Sequence, residues 1–214
     1  MAAKPSMVPG KGLVFRREVE PADVEIVRSM TETTGFFSAE EVLIAGELVR
    51  ERLEKGPESG YYFIFAQECP GEGQDSLVHT GCTGSTVQDM RAWRIIQAGG
   101  MEHTVQTGCS GPAGEIVGYT CFGPVPGTQS SFDLYWIVVR KDRRGSGIGR
   151  ALLAQTEEAV ASSGGSRLYA ETSSRELYDP TRGFYCSAGF RQEAFLENFY
   201  APGDGKIIFV KQIA

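Results

Sequence analysis

The chain contains no apolar run near the roughly eighteen residues that a membrane-spanning helix needs, so a helical membrane protein is excluded. Its opening stretch, Met1–Gly12, lacks the apolar core of a signal peptide, and a flexible tail in a cytoplasmic protein is expected. Positive charge is also short. A formal net charge of −6 argues against general affinity for nucleic acid. The five cysteines are an odd number with no C-x-x-C pair, which fits reduced thiols better than a disulfide framework. Histidine is rarer still, with His79 and His103 alone. His79 and Cys82 make a single His-x-x-Cys with no matched second pair, so no metal site is expected despite Cys69 and Cys109 nearby.

What is present is ordinary globular material: 214 residues, 41% hydrophobic and 22% charged, enough for one sizeable core. Leu13–Val19 reads as a strand. Pro21 opens a helix over Ala22–Thr31, with Val24, Val27 and Met30 on its inner face. Ser38 and Glu41 make a capping box for a second helix, whose apolar stripe is Val42, Leu43, Leu48, Val49 and Leu53 and whose end is Gly56-Pro57. Strands follow at Tyr61–Gln67, Glu115–Phe122, Phe132–Val139 and Arg167–Thr172, with Phe190–Asn198 and Lys206–Ile213 as a closing antiparallel pair. Helices over Ile148–Ser163 and from Pro180 to about Ala188 lie between the last four. This is an α/β arrangement, a sheet layered by helices. Pro70–Pro112 departs from it, being rich in Gly, Thr, Ser and Gln, with only Asp89–Ala98 hinting at a helix, and reads as a long mobile insertion or lid.

The most informative run is Arg144-Gly145-Ser146-Gly147-Ile148-Gly149-Arg150, set between a strand and a helix. Three alternate glycines permit a tight turn, and a helix beginning at once adds unpaired N–H donors, so the run suits an anion. Five basic residues in eleven, Arg140, Lys141, Arg143, Arg144 and Arg150, add attraction and orientation. A Walker loop would need Lys-Ser/Thr after the last glycine, and Arg150-Ala151 stands there instead. A dinucleotide fingerprint would be G-x-G-x-x-G near the first strand, whereas this G-x-G-x-G comes late.

The run resembles the signature of the GNAT superfamily of acyl-CoA-dependent N-acyltransferases, Gln/Arg-x-x-Gly-x-Gly/Ala, with Arg144, Gly147 and Gly149 in place. A second run, Phe184-Tyr185-Cys186-Ser187-Ala188-Gly189-Phe190, matches the family's F-Y-x-x-x-G-F in the right order. The resemblance spans about residues 13 to 213. It implies a single GNAT-like domain over 13–214, interrupted at about 70–112. It also implies a mixed, mostly antiparallel sheet of about seven strands with about four helices, and an acyl-CoA cleft between the fourth and fifth strands. The loop from Arg144 to Arg150, including Gly145, Ser146 and Ile148, would hold the pyrophosphate of acetyl-CoA, and Ile137 and Val139 would pair with its pantetheine arm. The partner is then a small-molecule amine or a protein amino group, with no nucleic acid and no membrane, and a homodimer is compatible.

Amine acetylation sets chemical requirements. An alkyl amine with a pKa near 10 is only about 0.1% neutral at pH 7, so a base is needed. Asp133 shares a strand face with Tyr135, Ile137 and Val139 on a period of two, and matches the strand glutamate of histone-acetylating members of the family. It reads equally as an aspartate capping the turn after Ser130-Ser131. Glu171, ending the fifth strand, is the second candidate, or a solvated strand residue. Tyr185, four residues before Gly189, matches the family's acid, with a core aromatic as the alternative. Tyr119, Tyr135, Trp136, Tyr178 and Tyr200 suit an amine pocket and a core alike. Cys186 adjoins Tyr185 but is turned about 100° away on a helix, so no cysteine nucleophile is expected. The expectation is direct acetyl transfer in a ternary complex; the alternative is a non-catalytic acyl-CoA sensor of the same fold.

Overall fold

The computed structural model describes residues 12–68 and 114–213; the expected tail and the insertion with its histidines lie outside them. In chain order the elements are β1 (Leu13–Arg16), α1 (Asp23–Thr33), α2 (Ala39–Lys55), β2 (Tyr62–Glu68), β3 (Glu115–Pro124), β4 (Ser131–Val139), α3 (Ile148–Ser162), β5 (Arg167–Ser173), α4 (Asp179–Ser187), β6 (Arg191–Ala201) and β7 (Asp204–Gln212). The strands form one seven-stranded sheet in the order β1-β2-β3-β4-β5-β7-β6. Every neighbouring pair is antiparallel except β4–β5, which is parallel. Glu68 pairs with Glu115, so the chain leaves and rejoins the sheet around the insertion at adjacent positions. Among the described residues no helix is long and apolar enough to cross a membrane.

Each face of the sheet carries its own core. On one, Ile148, Leu152, Leu153 and Val160 of α3 and Tyr185 of α4 pack with Ile64, Leu168, Phe190 and Phe209. On the other, Val24, Val27 and Met30 of α1 and Ala45 and Val49 of α2 pack with Phe63, Phe65, Tyr119 and Val138. The capping box of α2 forms in full, Glu41 N donating to Ser38 Oγ and Ser38 N to Glu41 Oε2. Its buried stripe differs from the expectation. Val42, Ala45, Gly46 and Val49 face inward, while Leu43 and Leu53 are exposed. Those four fall on one side at 3.6 residues per turn, and the small pair lets α1 come close, which outweighs the larger side chains.

A buried ion pair fixes the start of α1. Asp23 is 1% exposed and takes both terminal nitrogens of Arg16 at 2.7 and 2.8 Å, together with the amide of Glu20 at 2.7 Å. The Arg16 guanidinium in turn lies 4.5 Å over the ring of Phe65.

Candidate active site

The site is built around a defect in β4. Cys121 of β3 faces Trp136 and Phe122 faces Leu134, so Tyr135 is an extra residue with no partner opposite. Such a bulge reverses side-chain direction along the strand. Phe132 and Leu134 sit in the α3–α4 core, but beyond the bulge Trp136 and Val138 belong to the α1–α2 core. Asp133, Tyr135, Ile137 and Val139 therefore do not share one face as strand periodicity predicts. Asp133 and Tyr135 open toward α2, whereas Ile137 and Val139 pack on the α3–α4 side.

The bulge also ends the parallel pairing. β4 and β5 are bonded from Ser131–Arg167 to Leu134–Ala170 and no further, although β4 runs on to Val139 and β5 to Ser173. A cleft thus opens between the fourth and fifth strands, along which Tyr135–Val139 has no strand partner on the β5 side and Arg144 Nε donates to Val139 O at 3.3 Å.

At the far end of β4 the glycine turn leads into α3. Gly145 and Gly147 take φ of +77° and +90°, conformations that L side chains rarely adopt, and Gly147 is the N-cap of α3. A Cβ on Gly149 would stand 3.4 Å from the Phe184 ring, in ordinary contact with α4. The first-turn amides of Ile148, Gly149 and Arg150 have no helix carbonyl to bond. The basic cluster divides. Arg140 is held by Asp142 at 2.6 Å and by Glu115, and Arg143 by Glu68 at 2.8 Å and by Asp142 at 3.0 Å. These two are neutralised locally, contrary to the expectation that all five arginine and lysine side chains attract the ligand. Among the described residues Lys141, Arg144 and Arg150 have no carboxylate partner. Arg144 stacks 5.1 Å over Phe36, and Arg150 donates to Ser187 Oγ at 3.1 Å, beside the α3–α4 junction.

Tyr185 lies in the core on that same side. It is 4% exposed, with the rings of Phe184, Phe190 and Phe209 at 5.3 to 5.6 Å, and burial pushes its phenol well above the ordinary range. Its hydroxyl bonds to no described residue, yet it is not among the sealed, unpartnered polar atoms. Cys186, next to it, is exposed on the outside of α4.

On the opposite face a cavity of about 330 Å³ brings together Asp133, Glu171 and the rings of Tyr61, Tyr135, Trp136 and Tyr169. Ile44 and Leu48 of α2 close one side. Asp133 accepts no hydrogen bond from any described residue, so the turn-capping role is not realised; Thr128 Oγ1 closes that turn onto Val125 O at 2.8 Å. Burial first, then the charge of Glu171, raises the Asp133 carboxyl above the ordinary aspartate range, with Lys206 opposing. Glu171 is ion-paired with Lys206, whose ammonium also lies 4.4 Å over Phe199. Burial, then Asp133, pushes the Tyr135 phenol up to about 12.

Of the five polar aromatics singled out from the sequence, Tyr135 and Trp136 line this cavity. Tyr119 and Tyr178 do not. The first is fully buried with its hydroxyl 2.6 Å from Thr31 Oγ1, and the second donates to Phe36 O at 2.7 Å. Tyr200 is half exposed, close enough to Glu171 for that charge to act on it. Sequence reasoning missed Tyr61, Tyr169, Ile44 and Leu48. Tyr169 had a signal, standing two residues before Glu171 on the same strand face. Among the described residues no cluster of three or more potential metal ligands occurs.

Comparison with known proteins agrees with this architecture. A profile of the Acetyltransferase (GNAT) domain matches residues 104–192. A crystal structure of a GNAT-family protein from Desulfovibrio desulfuricans is 39% identical, covering 95% of this chain and 100% of its own, with a TM-score of 0.72. An aminoglycoside 6'-N-acetyltransferase complexed with coenzyme A shares the fold at 17% identity and a TM-score of 0.58, over 94% of this chain and 97% of that one. Ard1 from Thermoplasma volcanium does so at 16% and 0.59, over 94% and 98%. No curated protein sequence matches significantly. The mixed sheet parted between its fourth and fifth strands, the glycine turn at a helix start and the close relative together place the chain in the GNAT superfamily of acetyltransferases.

Proposed function

We propose that the chain transfers the acetyl group of acetyl-CoA to a primary amine by direct attack within a ternary complex, in a single domain formed by residues 13–214. The parting of β4 and β5 carries the reading. It leaves the β5-facing edge of Tyr135–Val139 without a strand partner, where an extended pantetheine arm can pair, and it lies between the two faces on which the chemical groups are found. The loop residues fit a pyrophosphate: a positive-φ turn, unpaired first-turn amides, and Lys141, Arg144 and Arg150 with no carboxylate of their own.

The amine enters from the α2 side as an ammonium and gives a proton to Asp133. A carboxylate whose pKa is raised by burial is a stronger base than an exposed aspartate, and Asp133 has no hydrogen bond to break first. The freed nitrogen attacks the thioester carbon, the carbon–sulfur bond breaks, and the proton that the nitrogen sheds on becoming an amide passes through water to the departing sulfur, so that an amide and a thiol result. On the other face Tyr185 keeps its proton at every working pH because burial raises its phenol, so it donates a hydrogen bond to the departing sulfur. Glu171 shares the amine cavity and, tied to Lys206, tunes Asp133 and draws in the cation.

Isothermal titration with acetyl-CoA, followed by a CoA-release assay across amines, tests the reading on wild type and Tyr185→Phe. The expected result is unchanged acetyl-CoA affinity and a rate lower by roughly 10²–10⁴ in the variant. Acetyl-CoA binding with no transfer to any amine would instead favour the sensor.

A further inference from the structure

The amine cavity has a charge pattern that selects among amines, an inference that rests on the acetyltransferase reading. Two carboxylates, Asp133 and Glu171, reach the same space, and none of the described lining residues is cationic. The ammonium of Lys206 is bound to Glu171 and lies over Phe199 outside the lining. The rest of the wall is aromatic or aliphatic, with Tyr61 and Tyr135 packed edge to face at 5.5 Å and Trp136 held against Phe37 at 4.7 Å. A cation gains from both the carboxylates and the ring faces. A carboxylate on the same ligand would be brought beside Asp133 and Glu171, where the one cation acting on both, Lys206, is already paired with Glu171, and such like-charge juxtaposition disfavours a ligand. The volume sets the scale. At about 30 Å³ for each water-sized group, 330 Å³ holds roughly ten non-hydrogen atoms between the walls, the size of an arylalkylamine, and the cleft is open on one side.

We infer that the acceptor is a compact primary amine with an apolar or aromatic body and no carboxylate, which the cavity distinguishes from the corresponding amino acid. Matched pairs that differ only in the α-carboxylate isolate this point: phenethylamine against phenylalanine, tyramine against tyrosine, isoamylamine against leucine. With acetyl-CoA saturating, the amine of at least one pair should exceed its amino acid by about 100-fold in kcat/KM. Glu171→Gln should narrow that ratio at least about tenfold. The ratio is informative even if Glu171 also affects the rate, because a general loss of turnover lowers both members alike. A peptide with a free N-terminus serves as a further arm.

Three results overturn the proposal while leaving the acetyltransferase reading intact: amino acids turned over as well as their amines, the peptide preferred over every small amine, or acetyl-CoA bound with no pair member acetylated while another amine is. A ratio unchanged in Glu171→Gln, with acetyl-CoA affinity confirming the fold, also overturns it. Failure to bind acetyl-CoA at all overturns the parent reading and this one with it.

Discussion

The two faces of the parted sheet are made differently. The side proposed for the acyl donor comes from one contiguous stretch, the end of β4, the glycine turn and the start of α3, with α4 packed behind it. The side proposed for the acceptor is assembled from residues far apart in the chain: Ile44 and Leu48 on α2, Tyr61 before β2, Asp133 to Trp136 around the β4 bulge, Tyr169 and Glu171 on β5. A backbone cradle depends on φ angles and free amides, which glycine spacing encodes locally. A side-chain cavity depends on which strand faces meet.

The largest effect should separate the two sides by function. Asp133→Asn keeps the size of the side chain and removes the base, so it should lower the transfer rate by roughly 10²–10³ and leave acetyl-CoA affinity unchanged. In wild type, the rising acid limb of kcat/KM should lie above the ordinary aspartate range, because burial and Glu171 raise the carboxyl; the variant should lose that limb. The measurement needs an acceptor whose own titration is known. Stability supplies a second readout. A folded-state pKa above the unfolded value means that protonated Asp133 favours the native state, a contribution present below the unfolded pKa and lost as pH rises through the raised folded pKa. Asp133→Asn should flatten the melting temperature across that window. Comparable damage to acetyl-CoA binding would mean that the faces are not separable.

The same division explains what could be read from the sequence. The strand and helix order, the Ser38–Glu41 box and the GNAT motifs are local, and the observed elements start and end close to their expected places. The bulge at Tyr135 is not local: it exists because β3 and β4 pair out of step after Cys121, and nothing in Ser131–Val139 marks it. Strict alternation therefore put Ile137 and Val139 on the face of Asp133, and the bulge sends them to the other. Charge pairing was equally hidden. Arg143 meets Glu68, 75 residues earlier, so counting basic side chains near the loop overstated its free positive charge. Tyr119 and Tyr178 differ from Tyr135 only in what tertiary packing places against them.

A smaller effect probes the cradle itself. Gly147 sits at a φ of +90° with nothing within 4 Å of where a Cβ would be, so a side chain there meets no obstacle but strains the backbone. Gly147→Val should tilt the start of α3 and raise the acetyl-CoA dissociation constant about tenfold, some 1.4 kcal/mol, with the kcat of saturated enzyme little changed. Unchanged affinity in a folded variant would remove the loop from the acyl-donor side.

The smallest effects sharpen the picture within that side, because its arginines are not equivalent. Among the described residues Arg150 has only a neutral hydroxyl, Ser187 Oγ, as partner, so its charge is available to an anion at the start of α3. Arg143 is engaged by two carboxylates. An exposed charge near a helix start is worth about 0.3–1 kcal/mol, so Arg150→Ala should weaken acetyl-CoA binding roughly two- to fivefold and lessen its salt dependence. Arg143→Ala should leave affinity within experimental error and instead loosen the contact between β2 and the turn, seen as faster amide exchange near Glu68 and Asp142. If Arg143→Ala weakens binding as much as Arg150→Ala does, Glu68 and Asp142 do not neutralise it, and the whole basic cluster acts on the ligand together.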